Sequence, residues 1–277
     1  MANYKRILTI QDISCVGQCS LTAALPILSA CGHETAIIPS AVLSTHTGGF
    51  AGYTFRDLTD DIPAIQKHWQ KEGITFSAMY TGYLGSAKQV EYVKDIFNTM
   101  GNEGCMKIVD PAMADSGKLY AGFDQDFVAA MTELCKAGDL ILPNITEACL
   151  MTGSEYKEVY DEAYIEELLR KLEATGLENI ILTGVSYDRE TTGILVRKNG
   201  SSLYYKHERV ERLCHGTGDV YASTFVGALL SGKTELEAAK IAGDFTLLCI
   251  KNTVDDPDHW YGVKFEPLLG KLIAMLQ

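Results

Sequence analysis

The stretch HGTGDVYASTFVGALLSG, residues 215–232, sets two glycines and a threonine directly ahead of an aspartate and then falls into an apolar helical rhythm. The first turn of a helix carries unpaired N–H groups and the positive end of the helix dipole, a setting that suits an anion. Gly216, Thr217 and Gly218 can turn successive backbone N–H groups toward one oxyanion. Asp219 then has two readings: it caps the helix, or it is a base held beside a bound phosphoryl group. Val226, Leu229 and Leu230 form the core-facing side. The chain contains neither G-x-x-x-x-G-K-[ST] nor G-x-G-x-x-G, so any phosphate site is of another kind.

Three further groups have chemical potential. VDPAMAD, residues 109–115, ends an apolar run with two carboxylates, Asp110 and Asp115. Proline keeps the chain extended as it leaves the run. The acids are either solvated turn residues or groups that hold water around Mg²⁺. In PNITEACLMTG, residues 143–153, Asn144 and Glu147 have the spacing of a capping box. Alternatively Glu147 organises Mg²⁺ waters near a triphosphate, since Mg²⁺ takes few protein ligands. Thr183 in LTGVS is a turn hydroxyl or a phosphate donor.

These groups need a frame that brings them together. Apolar runs at 4–11, 34–40, 76–86 (strand then turn), 105–113 (stopped by Asp-Pro), 139–144 and 179–185 read as strands. Between them lie helical patterns at 20–32, 61–71, 86–100, 124–136 and 161–174. Ile165, Leu168, Leu169 and Leu172 supply the i, i+3, i+4, i+7 set. Asn199-Gly200 predicts a hairpin turn, and helices follow over 218–231, 235–252 and 265–276. Such alternation argues for an α/β fold, a mostly parallel sheet with helices on both faces. Ligands in these folds sit beyond the carboxyl ends of the strands, where Asp12, Gly82-Tyr83, Asp110, Asn144 and Thr183 all fall. No linker or repeat divides the 277 residues, so one domain over 1–277 is expected.

The formal net charge of −12 disfavours nucleic acid and anionic membranes as partners. Only four uncharged residues separate Arg6 from Gln11, too few for a signal-peptide core, and no run approaches a membrane span. The eight cysteines contain no C-x-x-C pair and read as reduced thiols of a cytoplasmic protein.

Taken in order, TIQD, STHTGGF (44–50), TGYLGS (81–86), DPAMAD, PNITEA and GTGD resemble the signatures of the ribokinase-like superfamily and, within it, the pyridoxal kinases. The resemblance spans nearly the whole chain and implies a ribokinase-like fold with a minimal lid, ATP and Mg²⁺ as cofactors, and a homodimer. It implies that Asp219 accepts the proton of a vitamin B6 hydroxymethyl group and that Gly216, Thr217 and Gly218 form the anion hole. Asp110, Asp115, Asn144 and Thr183 would lie by the ATP phosphates, with Glu147 and Asp110 near the metal through water. Asp12, His46, Thr47 and Tyr83 match the vitamin-ring positions, with Tyr83 as an aromatic wall. Asp12 departs from the pattern, which has a small hydroxyl residue there. Two alternatives stand beside this reading: phosphorylation of hydroxymethylpyrimidine on the same fold, and a catalytically silent vitamin- or nucleotide-binding module.

Overall fold

The computed structural model describes residues 5–211 and 214–277. The chain runs β1 (Arg6–Ser14), α1 (Leu21–Ala30), β2 (Glu34–Leu43), β3 (Phe55–Asp57), α2 (Ile62–Lys71), β4 (Phe76–Thr81), α3 (Ala87–Thr99), β5 (Gly101–Val109), β6 (Ala114–Asp115) and β7 (Lys118–Leu119). It continues through α4 (Gln125–Lys136), β8 (Leu140–Ile141), α5 (Ile145–Thr152), α6 (Glu162–Ala174), β9 (Asn179–Val185), β10 (Thr191–Lys198), β11 (Ser201–Glu208), α7 (Thr217–Leu230) and α8 (Glu235–Thr253). A 3₁₀ turn (Glu266–Leu268) and α9 (Leu269–Leu276) follow.

One sheet has the order β11-β10-β9-β8-β5-β4-β1-β2-β3. The strands from β2 across to β9 pair in parallel. The edges are antiparallel: the β9–β10–β11 meander on one side and β3 on the other.

Side chains alternate cleanly between the two buried faces of the sheet. Leu8, Met79, Val109, Ile141 and Leu182 point to the face packed by α2 to α6. Ile7, Tyr80, Ile108, Leu140 and Ile181 point to the face covered by α7 and α8. Both faces are apolar because both are covered, the condition a parallel sheet requires. α1 and α9 extend the second layer, with Phe245 and Phe265 buried between elements there.

Two small elements depart from the sequence expectations. β3 adds three exposed residues to the edge in a stretch expected to be loop. β6 and β7 form a hairpin closed by Ser116 and Gly117, both with positive φ of 50° and 76°. Neither element is long enough to show a period in the sequence. The expected 265–276 helix is divided, its first turn being 3₁₀.

Candidate active site

The parallel strands all end on one side, and the polar residues gather there. β1 delivers Gln11 and Asp12, both buried. Ser14 Oγ donates to Asp12 Oδ2 at 2.9 Å. Burial raises the Asp12 carboxyl above its ordinary range, and the Ser20 and Ser14 hydroxyls pull it partly back. The chain then turns through residues 15–20 into α1. Ser20, at the helix entrance, has φ 49° and ψ −129°, a conformation that favours glycine. That strained backbone aims one residue at two acids: its hydroxyl faces Asp12 and its main-chain N–H faces Asp219.

Asp219 lies in the first turn of α7, whose N-cap is Gly216 with φ 74°. A β-carbon at 216 would overlap the Gln18 carbonyl oxygen, so only glycine fits where these loops touch. Val220 N–H bonds back to the Gly216 carbonyl at 3.0 Å, which starts the helix. The amides of Thr217, Gly218 and Asp219 precede that bond and have no acceptor within the helix. Burial raises the Asp219 carboxyl from 3.8 to about 7, with the Ser20 amide lowering it and Asp12 raising it further.

Asp110 closes β5. One carboxylate oxygen accepts from Ala112 N–H at 3.1 Å. Burial, then Glu147 and Asp219, push its carboxyl well above the usual range. Glu147 is held by α5 itself. Its Oε2 accepts from Asn144 N–H at 2.9 Å while Asn144 Oδ1 accepts from Glu147 N–H at 3.0 Å, a reciprocal cap. Glu147 Oε1 accepts from Met113 N–H at 3.0 Å. Burial moves the Glu147 carboxyl up to about 7 against these amides.

The acids thus share one field, and no basic side chain among the described residues acts on Asp110 or Asp219. This donor set of hard oxygens suits a divalent cation such as Mg²⁺. Among the described residues Asp110 accepts at one carboxylate oxygen only, from Ala112 N–H, whereas both Glu147 oxygens accept main-chain amides. Contact from Glu147 would therefore run through water. Among the described residues no three His, Cys, Asp or Glu side chains are arranged to hold a metal ion by themselves.

Other expected residues have different placements. Asp115 is exposed in the β6–β7 hairpin, where its carboxylate accepts from Ser116 N–H at 2.7 Å. It adds only its charge to the field on Glu147. Asn144 donates one amide N–H to the Ala114 carbonyl at 2.8 Å. Thr183 bridges to Asn144, and its hydroxyl donates to the Pro143 carbonyl at 3.3 Å.

Tyr83 stacks on Phe123 with centroids 5.4 Å apart. Burial, and Asp12 after it, push the Tyr83 hydroxyl up to about 12. Thr47 is exposed on its loop. His46 is buried, and both ring nitrogens contact the main chain: Nδ1 accepts from Gly48 N–H at 3.0 Å and Nε2 meets the Tyr261 carbonyl at 2.6 Å. His215 lies beside it, and burial, then His46, lower its imidazole.

Tyr80, Ser20 and Tyr261 were not legible as site residues. Tyr80 is fully buried beneath Asp110 and Asp219, which after burial hold its hydroxyl protonated. Nothing in a strand pattern distinguishes it from core.

This combination, a mostly parallel sheet with a glycine-pinned helix start and an aspartate on its first turn, defines a ribokinase-like kinase. A family model described as phosphomethylpyrimidine kinase matches residues 19–262. The chain belongs to that family. It is 33% identical to a provisionally named phosphomethylpyrimidine kinase from Bacteroides thetaiotaomicron, with TM-score 0.93 over 98% of this chain and 94% of that one. It is 31% identical to the pyridoxal kinase of Lactobacillus plantarum, with TM-score 0.89 over 98% and 97% of the two chains. A hydroxymethylpyrimidine/phosphomethylpyrimidine kinase of Haemophilus influenzae is 23% identical over 94% of this chain and 98% of its own. No helix among the described residues is long and apolar enough to cross a membrane.

Proposed function

We propose that the protein transfers the terminal phosphoryl group of ATP to the hydroxymethyl group of vitamin B6 vitamers. The observation that carries this reading is Asp219: a half-buried carboxyl raised to about 7, set in the first turn of α7 beside amides with no acceptor in the helix. A base with a pKa near the working pH is well matched to deprotonating an alcohol. The amides of Thr217, Gly218 and Asp219, at the positive end of the helix, would stabilise charge on the transferring group. Asp12, beside the Ser14 and Ser20 hydroxyls, would orient a polar ring substituent, and Tyr83 would wall the flat ring. Asp110, with Glu147 behind it, would hold Mg²⁺, which neutralises phosphate oxygens when bound.

The choice of vitamin B6 over a pyrimidine rests on TGYLGS and STHTG and on likeness to the pyridoxal kinase of L. plantarum. The B. thetaiotaomicron protein has also been crystallised with pyridoxal. The second reading, hydroxymethylpyrimidine phosphorylation, is favoured by the family model and the H. influenzae relative. The first reading carries with it a cytoplasmic homodimer acting in vitamin B6 salvage, and a sequence with eight cysteines but no C-x-x-C pair suits a reducing compartment.

The deciding experiment compares ATP-dependent phosphorylation of pyridoxal, pyridoxine, pyridoxamine and hydroxymethylpyrimidine, with and without Mg²⁺. Turnover with a B6 vitamer exceeding that with the pyrimidine supports the proposal, and the reverse order replaces it with the second reading. Ligand binding without any ADP release would point to a silent binding module.

A further inference from the structure

Four loops meet at His46, and they come from distant parts of the chain. Its own N–H bonds to the Val16 carbonyl at 3.3 Å, tying residues 44–50 to the turn before α1. Because Nδ1 accepts from Gly48 N–H, Nε2 is the protonated nitrogen and donates to the Tyr261 carbonyl. The His215 ring lies 5.0 Å from the His46 ring, and Phe50 packs at 5.0 Å, meeting it edge-on. Phe50 in turn rests 4.6 Å from Trp260, which is 44% exposed. A β-carbon on Gly48 would come within 2.6 Å of the His215 ring.

We propose that His46 is a positioning residue and not a ligand of the vitamin ring: its imidazole pins the 44–50 loop to the 259–262 segment and, through His215, to the phosphate loop before α7. Both imidazole nitrogens are committed to main-chain groups, so neither is left for a substrate. The loop it fixes carries Thr47, and the loop it abuts carries Gly216. The ring therefore sets the distance between the place where the alcohol is held and the place where the phosphoryl group is held. Misplacement on the scale of an ångström there costs turnover rather than affinity. The functional half of this inference rests on the kinase reading above.

The chain contains two tryptophans, Trp69 and Trp260. Trp69 packs on Phe76, the first residue of β4, at the end of the strand opposite the site. A Trp69→Phe background therefore leaves Trp260 as the one tryptophan, and excitation at the red edge of the absorption band, where tyrosine does not absorb, reads it alone. In that background His46→Ala is expected to red-shift ligand-free Trp260 emission and to lower kcat roughly 10–100-fold, with a smaller change in KM for pyridoxal or hydroxymethylpyrimidine. His46→Gln restores an N–H donor toward the Tyr261 carbonyl and should recover most of both.

Gly48→Ala keeps the imidazole but crowds His215, and should show the same pair of effects, so the inference stays testable if His46→Ala does not fold. Unchanged emission in either folded variant, or a raised KM with kcat intact in His46→Ala, overturns the assignment. If the wild-type protein phosphorylates none of the alcohols, the kinase reading fails, while the ligand-free emission still decides whether His46 pins the loops.

Discussion

The main-chain carbonyl of Gln18 occupies the space that a side chain on residue 216 would need. The turn before α1 and the turn before α7 are therefore in direct contact, and the contact fixes where Asp219 points. Gly216→Ala must separate them and also place alanine at φ 74°. We expect a loss of about 2–3 kcal/mol in stability and a fall in kcat of roughly 100-fold. Chemical denaturation and steady-state kinetics on one preparation check both.

Replacing Asp219 should weaken catalysis and strengthen the fold. Asp219→Asn removes the proposed base and should cost roughly 10²–10⁴-fold in kcat. The folded-state pKa of about 7 lies above the ordinary 3.8. Between those values the folded protein holds a proton that the unfolded chain has released, so this group's contribution to stability falls as pH rises through the window. Asparagine carries no such penalty. The variant should exceed wild type by about 2 kcal/mol at pH 8, after allowance for partial solvent contact, and the gap should close toward pH 4. In the wild type, kcat/KM should rise with pH through a limb near 7 as Asp219 deprotonates. Melting curves and a pH–rate profile check these expectations.

Glu147→Gln tests the cap against the metal reading. One carboxylate oxygen becomes an NH₂ facing a main-chain N–H, either that of Asn144 or that of Met113. The start of α5 should lose about 1–2 kcal/mol. If Glu147 also acts on Mg²⁺ through water, the Mg²⁺ concentration for half-maximal rate should rise as well. Loss of stability with an unchanged Mg²⁺ titration would assign Glu147 to architecture alone.

Ser20 offers a paired comparison. Ser20→Gly relieves the backbone at φ 49° and should raise Tm by an amount corresponding to about 1 kcal/mol. Ser20→Ala keeps the strained backbone and should not raise Tm. Both variants remove the hydroxyl that faces Asp12, so both should raise KM for the alcohol substrate. A rise confined to one of them would show that backbone geometry, not the hydroxyl, sets substrate affinity.

The long elements were legible because their periods are strong. The α6 face of Ile165, Leu168, Leu169 and Leu172 is buried as its spacing requires. Asn199-Gly200 closes the β10–β11 hairpin with Asn199 at φ 50° and Gly200 at 75°. At the site, residue types at strand ends marked Asp12 and Asp110, and the G-T-G-D helix start marked Asp219; the fold brings the three into one electrostatic field. What sequence could not carry was direction. Asp115 looks equivalent to Asp110 until a two-residue turn places it in solvent. Ser20 shows its role only through a backbone angle. For His46 no sequence pattern tells that its two ring nitrogens meet the Gly48 N–H and the Tyr261 carbonyl, and Tyr261 takes part through a carbonyl that every residue possesses.

That carbonyl has a consequence for biosynthesis. The partner that His46 needs lies more than 200 positions downstream, so a growing polypeptide emerging from a ribosome can complete its sheet well before the two meet. Until residue 261 has been synthesised and has left the exit tunnel, His46 has no such acceptor. A truncated translation product ending just short of it would keep most of the core but leave the 44–50 loop without its tie to the 259–262 segment, and catalytic competence would wait for that tie.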